Sequence, residues 1–420
     1  MLKFLKGRTK LKVIITKKEI DMKKFTLGAI TLFAIFGLTL FVVQAMAQTN
    51  GVGGRKIVVF QTGLNDAAKD EIIVRAGGAK LKNLDLIGAK AVWVPDRSAA
   101  AKLAAYPGVV RVDDDVIVEA LVKEGFVAVK GVSFQPVEVL PWGVDRVDAE
   151  LVWPSGNTAD PIKVGIIDTG ISNTHPDLLA NVKGGVNTIN PRKNWNDDNG
   201  HGSHVAGIVG AIDNTIGAIG VGPAIDLFAI KVLDRNGSGY LSDVIEGIQW
   251  AVAHNMQVVN MSLGTASDIQ SFHDAVIVAK NAGVVVVAAA GNSGGSVIFP
   301  AKYQETIAVS ATDQNNVIAS WSSRGPEVDL AAPGVSIYST YKGTGYATLS
   351  GTSMAAPHVA GSAALVLNTS VGGYDVNLNG KWDSDEVQKK LQDRAVDLGN
   401  TGFDNLYGWG LVNAYSAVQQ

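Results

Sequence analysis

The chain contains no cysteine, which excludes disulfide staples and any thiolate nucleophile, and with it the cysteine proteases. An exported protein of this kind needs another cross-link, such as bound calcium. Charge is scarce as well. Asp, Glu, Lys and Arg make up 18% of the residues and leave a formal net charge of −3, so there is no basic field to draw in nucleic acid and no acidic tail. No repeat of fixed period is present, which argues against a solenoid.

What the chain does have is 47 glycines and 47% hydrophobic residues in 420, a mix suited to buried parallel strands joined by tight loops. That length predicts two or three modules. Residues 25–43 are apolar, follow Lys23-Lys24 and lead to Ala45-Met46-Ala47, the pattern of a secretory signal peptide. Residues 1–47 are therefore read as that leader, with Met22 as the natural start and 1–21 as an upstream extension. An uncleaved anchor is the competing reading, so the expected location is extracellular or at the cell envelope. Residues 55–121 form a small α+β unit. Its strands are Lys56-Ile57-Val58-Val59-Phe60, residues 89–94 and residues 109–112, and its helices cover residues 65–76 and 98–105. Residues 122–139 have weak periodicity and read as a linker. From 140 to 420 strands and helices alternate, as a three-layer α/β/α domain with a mostly parallel sheet requires.

Three segments carry chemistry. Val164-Gly165-Ile166-Ile167 ends in Asp168-Thr169-Gly170, and catalytic groups in open α/β sheets gather at the carboxyl ends of strands. Asp168 taken alone would be a turn former. In Asn199-Gly200-His201-Gly202-Ser203-His204 a glycine-flanked His201 opens a small-residue helix and can project into a cleft. His204 completes an H-x-x-H pair, but no zinc-protease Glu accompanies it, so zinc is set aside. In Gly351-Thr352-Ser353-Met354-Ala355 a tight turn puts Ser353 at a helix N-terminus, where backbone N–H groups can hold a developing oxyanion. The plain alternative is an N-cap.

Together the three segments resemble the signature motifs of the subtilisin-like serine proteases, from about Pro141 to the C-terminus. The resemblance implies that Asp168, His201 and Ser353 form a catalytic triad in which His201 takes the Ser353 proton and Asp168 holds the imidazole tautomer. It also implies that Asn292, in Gly291-Asn292-Ser293-Gly294, donates to the oxyanion, and that Gly291, Ser262, Leu263 and Gly264 bind substrate along an edge strand. The expected activity is a broad endopeptidase acting on protein or peptide substrates through an acyl-enzyme, working as a monomer. Residues 55–121 resemble the family's ferredoxin-like inhibitory propeptide, whose tail ends at Leu121, where the first cut is expected. A catalytically inactive binding module of the same fold is the alternative. An α/β-hydrolase lacks its G-x-S-x-G elbow here, and a dinucleotide-binding oxidoreductase lacks its glycine fingerprint after the first strand.

Structural calcium is expected at two places. By resemblance, Asp177 and Asn214 supply side-chain oxygens, Ile212, Ile216 and Ala218 supply carbonyls, and Glu138 stands where the family usually has Gln. Independently of any family, residues 375–386 fit D-x-[DN]-x-[DN]-G-x₅-E, with Asp375, Asn377, Asn379, Lys381, Asp383 and Glu386 as candidate ligands. The segment before that loop is a poor entering helix, and its other reading is a solvated acidic loop.

Overall fold

The computed structural model describes residues 53–123, 127–129 and 135–420, so the leader read at 1–47 lies outside the described residues. The first unit is a four-stranded antiparallel sheet in the order β2-β3-β1-β4, built from β1 (Gly54–Phe60), β2 (Ala79–Leu84), β3 (Ala89–Val94) and β4 (Val109–Asp114). Helices Asp66–Arg75 and Arg97–Ala104 connect its strands in a β-α-β-β-α-β order. Both helices are capped as their sequences direct, Asn65 accepting from the Ala68 N–H at 2.9 Å and Asp96 from the Ala99 N–H at 2.8 Å. Strand β2 was not expected. It lies at an edge with only Leu84 buried, so it shows no inside–outside alternation to read.

Two short strands follow, β5 (Ile117–Ala120) and β6 (Val127–Val129). The larger unit then contributes β7 (Lys163–Asp168), β8 (Val182–Asn187), β9 (Asp226–Lys231), β10 (Ser238–Tyr240), β11 (Val258–Met261), β12 (Leu263–Gly264), β13 (Val285–Ala289), β14 (Ile307–Thr312), β15 (Leu330–Pro333), β16 (Ile337–Thr340) and β17 (Tyr346–Leu349). Seven of these make a parallel sheet in the order β15-β14-β13-β11-β7-β9-β8. Apart from the edge strand β8 and part of β9, its strands are buried on both faces. Val285, Val287 and Ala289 of β13 pack into one core with helices His201–Gly210 and Thr352–Leu367, while Val286 and Ala288 pack into another with helices Leu241–Ala253 and Gln270–Asn281. This is the expected three-layer α/β/α arrangement.

The run 258–264 splits in two. β11 is a central strand of the large sheet, and after Ser262 the chain leaves it so that β12 forms a separate edge. The linker is more ordered than its sequence suggests, because β6 pairs antiparallel with β17 and Val137 and Val139 bridge to Ile216 and Ala218. Strand addition of this kind is carried by backbone groups, which leaves no side-chain pattern to read.

Candidate active site

Asp168 ends β7 at the carboxyl edge of the large sheet, fully buried, and its backbone carbonyl is held by the Val232 and Leu233 N–H groups at 2.9 and 3.1 Å. His201 is the first residue of helix His201–Gly210, 2% exposed, and its Nδ1 lies 2.8 and 2.9 Å from the two oxygens of Asp168. The carboxylate oxygens accept, so Nδ1 carries a proton and donates it to Asp168. The His201 Nε2 is buried and has no hydrogen-bond partner among the described residues. Ser353 lies in the first turn of helix Thr352–Leu367, fully buried, and its hydroxyl donates to the Ser262 carbonyl at 2.9 Å and not to His201.

Asn292 is oriented by its neighbours. Its Oδ1 accepts from both the Thr352 N–H and the Thr352 hydroxyl at 2.9 Å, and a backbone N–H can only donate, so Nδ2 must face the other way. There it donates to the Leu121 carbonyl at 2.7 Å. A Cβ on Gly351 would stand 2.6 Å from that same carbonyl, so glycine is what lets Leu121 approach the start of the Ser353 helix.

The residues before Leu121 lie between two strand edges. β5 pairs antiparallel with β10 on one side and with β12 on the other, giving a three-stranded sheet β10-β5-β12. Glu119 stands opposite Gly264, Ala120 opposite Leu263, and the Leu121 N–H donates to the Ser262 carbonyl at 3.2 Å. Val118 is fully buried in the second core. Beyond the Leu121 carbonyl, the Lys123 N–H donates to the Ser350 carbonyl at 2.9 Å. Ser262, Leu263, Gly264 and Asn292 therefore meet one extended segment of the chain itself, and Gly291 is tied to the same turn through the Thr352 hydroxyl at 3.1 Å.

The Subtilase family profile matches residues 159–410. M-protease of Shouchella clausii is 47% identical over 281 residues, which is 67% of this chain and 70% of that protein. Subtilisin Savinase of Lederbergia lenta is also 47% identical over 281 residues and is covered over 99% of its length. Subtilisin E of Bacillus subtilis is 37% identical over 401 residues, 92% of this chain and 97% of that protein. The chain belongs to the subtilase family. It is a subtilisin-type serine endopeptidase.

The other histidines of these motifs are structural. His204 is fully buried between the carbonyls of Ile337 and Ala347 at 3.0 and 3.1 Å, and burial, with His201 adding, lowers its pKa to about 3. His358 is likewise fully buried, donating from Nδ1 to the Met354 carbonyl at 2.8 Å, and burial brings it down to about 4. Neither is a metal ligand or a base in this arrangement.

The structure places Asp177 and Glu138 at one loop, where the Asn214 N–H donates to Glu138 at 2.7 Å and Asp177 accepts from the Ala218 N–H, the Asn214 amide and the Tyr346 hydroxyl. Asn214 spends its Oδ1 on the N–H groups of Thr215 and Ile216 at 2.5 and 2.7 Å. Ile212, Ile216 and Ala218 belong to the same loop, with the Ile212 N–H donating to the Asp177 carbonyl at 3.0 Å. In the second loop Asp375 accepts from Asn379 and Gly380, Asn377 from Asn379, Asn379 from Lys381, and Glu386 from Val376 and Asp383. Helix Ser384–Asp393 starts inside that loop with Asp383 and Glu386 as its capping box, and only a 3₁₀ turn, Gly372–Tyr374, precedes it. Among the described residues no group of three or more His, Cys, Asp or Glu is gathered for a metal ion.

The sequence motifs left out Asp197, Lys231 and the role of Thr169. Asp197 lies four residues before His201 and is 3% exposed, accepting five hydrogen bonds. Its Asp-Asp-Asn-Gly setting is a turn signal, but turn chemistry does not reveal a partner 28 residues away.

Proposed function

We propose that this endopeptidase uses Ser353 as nucleophile, His201 as general base and acid, Asp168 as the orienter of the imidazole, and Asn292 as an oxyanion donor. One observation carries the reading: the Leu121 carbonyl, held by Asn292 Nδ2 at 2.7 Å beside the start of the Ser353 helix, occupies the place of a peptide bond about to be cut. For attack, the Ser353 hydroxyl swings from the Ser262 carbonyl to His201 Nε2, which takes its proton as Oγ bonds to the carbonyl carbon. The carbonyl electrons pass to the oxygen, where Asn292 and the Ser353 N–H stabilise the charge. Collapse expels the amine, which takes the proton from His201. Water then repeats the sequence on the acyl-enzyme, so the net change is hydrolysis.

Substrates are extended polypeptides, because recognition through two flanking edges reads backbone. Selectivity comes from an apolar residue before the cut, where Leu121 sits, and another at the place of buried Val118. By the same reading, residues 55–121 are an inhibitory domain cut off between Leu121 and Val122, residues 122–139 stay on the catalytic domain of 140–420, and the leader 1–47 directs export.

Calcium fits the two loops by its oxygen-only donor set. Burial, with the charge of Glu138 adding, raises Asp177 to about 6, which marks a carboxylate short of positive charge. Glu138, Asp177, the carbonyls of Ile212, Ile216 and Ala218, and Asn214 once its Oδ1 turns from the Thr215 and Ile216 N–H groups, would hold one ion, and Asp375, Asn377, Asn379, Lys381, Asp383 and Glu386 a second. Each ion would staple a loop of a chain that has no disulfide.

Expression of the full chain and of Ser353→Ala tests the reading. The unaltered chain should release residues 55–121, show Val122 as the new N-terminus and digest casein. The Ser353→Ala chain should stay uncut and inert, and residual proteolysis in it would reject Ser353 as the nucleophile.

A further inference from the structure

Asp168 and His201 sit on different elements, so their relation has to be set by something that joins the end of β7 to the start of helix His201–Gly210. Thr169 does this. Its hydroxyl oxygen accepts from the Gly202 N–H at 2.9 Å, one residue after His201, while its own N–H donates to Asp168 Oδ1 at 2.6 Å. The contact has no slack, because a Cβ on Gly202 would stand 3.1 Å from both Asp168 Oδ1 and Thr169 Oγ1 and would run into the Gly170 carbonyl.

A hydroxyl has one proton, and Thr169 gives it to Asp197 Oδ1 at 2.9 Å, which leaves its lone pairs for Gly202. Asp197 in turn accepts from the N–H groups of Asn199, Gly200 and Ser203 at 2.9, 2.8 and 2.9 Å, and from the Ser203 hydroxyl at 2.6 Å. One buried carboxylate thus fixes the turn before His201, the first turn of its helix and the Thr169 rotor together. Lys231 Nζ holds the same corner from the other side, donating to the Thr169 carbonyl at 2.6 Å, to Asp198 at 2.7 Å and to the Leu233 carbonyl at 3.0 Å.

We propose that Thr169 and Asp197 are positioning residues for proteolysis, setting the distance and angle between Asp168 and His201 without touching substrate. The inference rests on the triad proposed above. General acid–base transfer depends on donor and acceptor being held in reach, and a misplacement of about 1 Å is enough to cost on the order of a hundredfold in rate.

The test uses the full chain carrying Thr169→Val, Thr169→Ser or Asp197→Asn, with Ser353→Ala as control. Active enzyme is counted with an active-site-directed serine reagent, so that misfolded material does not enter the rate. Thr169→Val and Asp197→Asn should each lower kcat on a short peptide anilide by about 10- to 100-fold with KM changed by less than about twofold. The acid limb of the pH–rate profile should move, and so should the NMR signal of the proton shared by His201 and Asp168. Thr169→Ser should restore all three. An unchanged kcat per titrated site, a loss confined to KM, or a kcat loss with the acid limb and the NMR signal in place would overturn the assignment. Activity surviving in Ser353→Ala would instead overturn the triad, so the two failures are separable.

Discussion

Asn292 has its amide orientation dictated by Thr352, so its contribution can be isolated by one substitution. Asn292→Ala removes the side-chain donor to the carbonyl that Leu121 occupies, and the acceptor of the Thr352 N–H, while the backbone contacts at Ser262, Leu263 and Gly264 stay in place. kcat should fall by about 10²–10³ with KM little changed, a magnitude that comes from subtilisin itself and not from this chain. Equal losses in kcat and KM would contradict a role confined to the transition state. His358 makes a second prediction. Burial lowers its pKa to about 4, so the folded state keeps the ring neutral, while the unfolded chain protonates it below about 6.5. Its share of stability is therefore full above 6.5 and is lost as pH falls toward 4, at about 1.4 kcal/mol per pH unit. In Ser353→Ala chains, which on the proposed triad should not digest themselves, adding His358→Gln should make denaturant stability between pH 6 and 4 less steep by about one proton. Parallel pH curves for the two chains would refute this. The positions of Asp168, His201, Ser353 and Asn292 could be read from glycine-rich motifs because each needs a tight local backbone. Asp197 and Lys231 could not, since the reach of Asp197 to Thr169, and of Lys231 to Thr169 and Asp198, exists only once β7 has packed against the turn before the His201 helix.

Two helices of the larger unit begin without an N-cap side chain of their own, although Asp243 accepts from the Tyr240 N–H at 3.2 Å in the first of them. Helices Leu241–Ala253 and Gln270–Asn281 receive theirs from the first unit, where Asp115 accepts from the Ser242 N–H and hydroxyl at 2.8 Å and Asp113 from those of Ser271 at 3.1 and 2.5 Å. Arg55 pairs with Asp115 at 2.7 Å and lies 3.8 Å over the Tyr240 ring. Arg111 bridges Asp113 and Asp274 at 2.7 Å each, and Lys82 bonds Asp243 and Glu246. If residues 55–121 inhibit, Asp115→Ala should weaken the released piece by about 1–2 kcal/mol, roughly five- to thirtyfold in affinity. The lag between the cut at Leu121 and the appearance of activity should shorten accordingly, and an unaltered lag would remove the caps from the inhibitory contact. The two caps join residues 127 and 158 positions apart, so no local pattern announces them. Strands with buried faces, such as β1, β3 and β13, were legible by contrast, because alternation or continuous apolarity is a local signal.

For the whole molecule, the absence of cysteine leaves packing and any bound ion to hold the loops. If calcium fills the two proposed sites, chelation should lower the thermal midpoint of the Ser353→Ala chain by several degrees, and calcium should restore it. Asp375→Ala should remove part of that response and Asp177→Ala the rest. A midpoint indifferent to chelator would remove calcium from both loops. The sequence by itself determined the layered α/β class, the order of the three family motifs and the presence of a small leading unit, because glycine turns, capping residues and apolar strands act within a few residues of themselves. Only the tertiary structure decided that the segment ending at Leu121 lies between β10 and β12, that β6 adds to β17, and that Asp197 serves Thr169. Those contacts join groups far apart along the chain, and their geometry exists only once the sheet and helices have packed.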